Sequence, residues 1–65
     1  MEDKRSVLTK REKEILDFLA KGFSCPEIAT ILQISKTTVS LHANRILQKS
    51  GKNSRMKALI YFLED

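Results

Sequence analysis

Apolar residues recur along this chain at the three- and four-residue spacing of helices, and no segment alternates for long enough to make a convincing strand. Ile15, Leu16, Leu19 and Ala20 form the first such stripe, with Phe18 beside them. Thr9 precedes it and Glu12 lies three residues on, so each side chain can accept the other's backbone N–H, a capping box. Gly22 fits the left-handed position after the last turn, where Phe23 is placed to fold back onto Phe18. Ser24 and Glu27 repeat the capping pattern, and Pro26 is tolerated in a first turn. Ile28, Ala29, Ile31 and Leu32 give the apolar side of a short second helix, which Gln33-Ile34-Ser35 breaks. Ser35 can cap a third helix over about 36–49, ended by Gly51, and Ser54 can cap a fourth over about 55–63. The pattern predicts an all-α fold, a four-helix bundle. Residues 1–7 read as a flexible N-terminal arm and residues 8–65 as one domain.

The third helix faces two ways. With Val39 at zero on a wheel of about 100° per residue, Ala43 falls at about 40°, Ile46 at about 340° and Leu47 at about 80°. That stripe belongs to a core, with His42 on its edge. The opposite side carries Thr37, Leu41, Asn44, Arg45 and Gln48 and no acid. An amide pair, a guanidinium, a hydroxyl and one aliphatic group match what base edges and phosphates offer: guanine for Arg, adenine for Asn or Gln, a thymine methyl for the aliphatic group. A brief helix, a short turn and a longer helix with a basic outer face is the helix-turn-helix arrangement.

Composition narrows the choice. At 65 residues the chain is one small domain, too short for a dinucleotide-binding or barrel enzyme. The net charge is +4, but its distribution matters more. Between Ile28 and Leu63 stand Lys36, Arg45, Lys49, Lys52, Arg55 and Lys57 with no acidic residue, and such a block usually meets a polyanion. One cysteine, Cys25, excludes a disulfide framework and a cysteine-rich zinc site. No apolar run is long enough for a membrane span and no signal core follows Met1, so a cytoplasmic location is expected. His42 lacks partners for a metal and reads as a packing residue. Neither Ser24 nor Cys25 has a base arranged nearby in sequence, and there is no glycine-rich phosphate loop. An enzyme is not expected, nor a metal, a cofactor, a membrane or a small-molecule ligand of this chain. Glu12 is expected to cap its helix or to pair with Arg55 across the bundle.

Leu8-Thr9-Lys10-Arg11-Glu12, then Glu27-Ile28-Ala29, Leu32, Ile34-Ser35, Thr38-Val39, His42, Ile46, Lys49, Gly51, Arg55 and Ala58 occur in a recognisable order and spacing. On these residues, over about 8–63, the chain resembles the helix-turn-helix DNA-binding domain of the LuxR/GerE/NarL family of bacterial transcription regulators. The resemblance implies a four-helix fold with the third helix in the major groove of promoter DNA. It implies dimers made through the fourth helix, and contact with transcription machinery such as RNA polymerase. The family's base-reading positions fall on Ser40, Leu41 and Asn44, and Arg45 beside them can reach guanine or a phosphate. Phosphate contacts are expected from Lys36, Thr37, Thr38, Gln48 and Lys49. The dimer interface is expected on Met56, Ile60, Tyr61 and Leu63, because the apolar arc of the fourth helix is wider than bundle packing uses.

The sequence departs from the family pattern where Ser50 and Lys52 replace aliphatic residues flanking Gly51. Ser50 sits at about 20° on the wheel, on the core side. A looser joint between the third and fourth helices is therefore expected. Met1 and the lack of a linker point to a stand-alone small regulator rather than an excised domain. A different class of reading stays open: a small helical protein-interaction adaptor whose basic face binds an acidic surface. A third is a promoter-contacting region of a sigma-like subunit.

Overall fold

The computed structural model describes residues 4–64, and among them there are helices and no strand. A 3-10 turn over Lys4–Val7 is followed by α1 (Lys10–Ala20), α2 (Cys25–Leu32), α3 (Lys36–Ser50) and α4 (Arg55–Leu63). No helix among these residues is long and apolar enough to cross a membrane.

Local chemistry starts and stops each helix. Both capping boxes are present. The Thr9 hydroxyl accepts the Glu12 N–H while the Glu12 carboxylate accepts the Thr9 N–H, and Ser24 and Glu27 do the same for α2. Each box satisfies two N–H groups that a helix start leaves without partners. Gly22 ends α1 at φ +95°, and Phe23 donates its N–H to the Phe18 carbonyl. The two rings then meet edge to face at 5.5 Å, so the sharp turn is closed by both a hydrogen bond and an apolar contact.

The joint between α2 and α3 uses the same device with a different residue. Gln33 takes the left-handed conformation at φ 58°, and the Ile34 N–H returns to the Ala29 carbonyl. Ile34 then packs on the core, and Ser35 caps α3 by accepting the Thr38 N–H. Three residues thus join α2 to α3, and the two helices pack against each other.

The core gathers Leu8, Ile15, Leu16, Ile28, Ala29, Val39, Ala43, Ile46, Ala58 and Phe62. α3 is the central element and packs against the other three helices. Its buried apolar side chains are Val39, Ala43 and Ile46, spaced four and three apart as one helical stripe requires, with Leu47 half-buried beside them.

The joint after α3 and the segment before α1 each have a described form. The joint after α3 is built from polar contacts instead of the aliphatic anchors it lacks. Ser50 is buried, its hydroxyl donates to the Leu47 carbonyl at 2.6 Å and accepts the Lys52 N–H at 3.1 Å, and Gly51 ends the helix at φ +72°. A serine can serve at this buried site because both of its hydrogen-bonding roles are filled locally. Residues 4–7 of the expected arm form the 3-10 turn. Lys4 lies over the Tyr61 ring, 4.7 Å from its centroid, and donates to the Tyr61 carbonyl, while Arg5 pairs with Asp17 at 3.4 Å. The first three residues of that arm lie outside the described residues.

Candidate nucleic-acid interface

The burial of Val39, Ala43 and Ile46 decides what α3 shows to solvent. A helix locked by one stripe must present the opposite stripe, and here that stripe is Thr37, Leu41, Asn44, Arg45 and Gln48, all exposed. From Thr37 to Gln48 the face runs on the order of 16 Å along the axis at about 1.5 Å per residue. The first turn of α3 contains no acid. Lys36 and Arg45 are exposed and make no ion pair among the described residues. A surface with one uncommitted guanidinium, two amides and one leucine, and with Lys36 at its N-terminal end, offers hydrogen-bond donors and acceptors along a rod narrow enough for a major groove.

The remaining expected contact residues are placed less freely. Ser40 is half-buried at the edge of the face. Thr38 is also half-buried, and its hydroxyl lies 2.7 Å from that of Ser35, so it reinforces the cap.

Lys49 is committed elsewhere. Its ammonium donates to Glu12 Oε1 at 2.7 Å, and that oxygen also accepts the Thr9 N–H at 2.9 Å. Glu12 is 1% exposed. Burial pushes its carboxyl up, but the hydrogen bonds from Lys49 and Thr9 and the charges of Lys49 and His42 outweigh that, holding it below its ordinary value. The expected Glu12–Arg55 pair is therefore replaced by Glu12–Lys49. The Arg55 guanidinium instead reaches Cys25 Sγ at 3.7 Å, at the start of α2. His42 is half-buried, and its Nδ1 is buried without a hydrogen-bond partner among the described residues.

The Glu12–Lys49 pair, which the spacing did not predict, leaves one signal in the sequence. On the wheel Lys49 falls at about 280° and His42 at about 300°, so both leave α3 along one edge rather than from its outward face.

On α4, Ala58 and Phe62 turn into the core, while Met56, Ile60 and Leu63 stand exposed at a four- and three-residue spacing. Tyr61 does not join that stripe. It is half-buried, packed on the core, with Lys4 on its ring and Lys52 5.4 Å from the ring centroid.

Residues 6–62 match the family described as bacterial regulatory proteins, luxR family. The chain is 46% identical over 63 residues to the nitrate/nitrite response regulator protein NarP of Escherichia coli (strain K12), covering 97% of this chain and 29% of that protein. It is also 46% identical over 55 residues to the response regulator protein VraR of Staphylococcus aureus (strain NCTC 8325 / PS 47), covering 85% of this chain and 26% of that protein. The chain thus spans less than a third of the length of these curated relatives.

Proposed function

The chain belongs to the luxR family of bacterial regulatory proteins, a family of DNA-binding transcription regulators, and we propose that it reads double-stranded promoter DNA by laying α3 in the major groove. The observation that carries this reading is the acid-free outer face of α3, with Arg45 unpaired beside Leu41, Asn44 and Gln48 and Lys36 exposed and unpaired at the start of the helix. Leu41, Asn44 and Arg45 meet base edges, with Ser40 at their margin. Lys36, Thr37, Thr38 and Gln48 flank them and meet phosphates, which set the register of the helix on the duplex. Lys49, expected among the phosphate contacts, is paired with Glu12.

Two copies pair about a two-fold axis through Met56, Ile60 and Leu63, with Tyr61 at the margin, and so present two recognition helices to a pseudo-palindromic site. The named relatives are response regulators. By likeness to them this chain is the output part of a cytoplasmic regulator that acts by binding and meets RNA polymerase at its promoters.

The test is selection of bound sequences from random duplex DNA, followed by competition at several salt concentrations. A selected duplex is expected to outcompete random duplex, with log affinity falling linearly against log salt. Salt-insensitive binding, or equal affinity for every duplex, refutes sequence reading and returns the chain to a protein-interaction role.

A further inference from the structure

We infer that Lys49 is a positioning residue whose charge is spent inside the fold on Glu12, and that this pair pins the last turn of α3 in the rotation that the core stripe selects, so that the base-reading face is held in place. The inference rests on the DNA-binding reading above and asks what within the chain makes that reading possible.

Glu12 sits in the first turn of α1, 1% exposed, and a carboxylate taken that far from water needs a cation and hydrogen bonds. It has both at one oxygen: the Thr9 N–H at 2.9 Å and the Lys49 ammonium at 2.7 Å. The first of these bonds also closes the α1 capping box. One carboxylate therefore ties the start of α1 to the last turn of α3, across 37 residues of chain. Lys49 leaves α3 at about 280° on the wheel, whereas Leu41, Gln48 and Asn44 leave it at about 200°, 180° and 140°. Holding the first direction against α1 fixes where the other three point. The buried stripe of Val39, Ala43 and Ile46 selects which face of α3 is outward, but these apolar side chains make no directional bond. The ion pair supplies a directional bond at the end of the helix farther from the Ser35 cap.

The charge count follows. A lysine neutralised by a buried carboxylate brings no net charge to a phosphate, so it adds little to counterion release. Each phosphate neutralised by a free cation steepens the log–log salt dependence by about 0.9.

The experiment measures salt dependence and preference for a selected duplex over random duplex in four proteins: wild type, Glu12→Gln, Glu12→Gln/Lys49→Met, and Lys36→Ala. The double variant removes both charges, so it leaves no unpaired buried ion and keeps the fold, checked by helical circular dichroism. It is expected to keep the wild-type slope while losing at least about fivefold in preference for the selected duplex, the worth of one misplaced base contact. Glu12→Gln leaves Lys49 with its charge uncompensated, so its slope is expected to steepen by up to about 0.9. A double variant whose slope flattens by about 0.9, or whose site preference matches wild type, overturns the inference. So does a Glu12→Gln slope equal to wild type. Lys36→Ala separates the two levels: a flattened slope there supports DNA binding through α3 whatever Lys49 does, and no salt dependence in any of the four proteins overturns the DNA-binding reading itself.

Discussion

Replacing Leu41 with alanine removes the one large apolar side chain from the outward face of α3. In the free protein Leu41 is 48% exposed, so about half of its surface is already covered by its own helix. Fully burying a leucine side chain contributes roughly 1.5–3 kcal/mol, and only the exposed half remains to be covered by DNA, which leaves about 1 kcal/mol. That is on the order of a fivefold change in affinity at a tenfold per 1.4 kcal/mol. The thymine methyl is the group on a base edge that an isobutyl side chain can cover, since every other major-groove feature is a hydrogen-bond donor or acceptor. The assay is competition between matched duplexes that carry thymine or uracil at each thymine of the selected site, because uracil removes the methyl alone. Wild type is expected to lose roughly threefold to fivefold at one position per half-site, the worth of about one buried methyl group. Leu41→Ala is expected to bind the two duplexes equally, with its salt slope and helix content unchanged. Equal affinity of wild type for thymine and uracil at every position refutes the contact.

The other expectations concern the fold and its assembly. Gln33→Gly should raise stability by up to about 1 kcal/mol in urea titration, because a non-glycine residue at φ 58° carries strain that glycine does not; a lowered midpoint refutes the strain argument. Glu12 has a folded pKa below its ordinary 4.5, so its stabilising contribution is full above about pH 4.5 and is lost as pH falls through the folded value. Glu12→Gln should therefore flatten the acid limb of the stability–pH curve, and an unchanged limb would show that other carboxylates set it. Ile60→Glu should leave the fold intact, since half of Ile60 faces solvent, and should abolish the two-to-one complex on a palindromic duplex in sedimentation. A retained two-to-one complex moves the interface off α4.

The helices were legible because their ends are local chemistry. Thr9 with Glu12, Ser24 with Glu27, and Phe18 with Phe23 each form contacts within five residues, and such contacts follow from spacing alone. The outward face of α3 was legible for the same reason: once Val39, Ala43 and Ile46 are placed inside, the wheel dictates the rest. What spacing cannot decide is which distant side chain meets a given one. The pattern offered Arg55 as the cation for Glu12, and Lys49 takes that place because α3 packs on α1. The 3-10 turn at Lys4–Val7 was hidden likewise, because its ordering contact, Lys4 on Tyr61, joins the two ends of the chain. At Ser50 the pattern showed the loss of an apolar anchor but not its polar replacement, which needs a carbonyl and an N–H placed by the turn itself.

Tyr61 also changes what α4 can do. With Ala58 and Phe62 in the core and Tyr61 covered by two lysines, the free apolar surface of α4 narrows to Met56, Ile60 and Leu63, each between about half and two thirds exposed. A stable protein–protein interface takes roughly 800 Å² from each partner, contributed by some twenty or more residues. Three side chains on a nine-residue helix supply a small part of that. The stripe is therefore too small to hold two copies together alone at ordinary concentrations, yet it is large enough to favour one arrangement once two copies are held close. Adjacent half-sites on one duplex do this by converting pairing into an effectively intramolecular step. The proposed pairing through α4 would then follow DNA binding, and the spacing of half-sites that permits the Met56–Ile60–Leu63 contact would become part of what the protein reads.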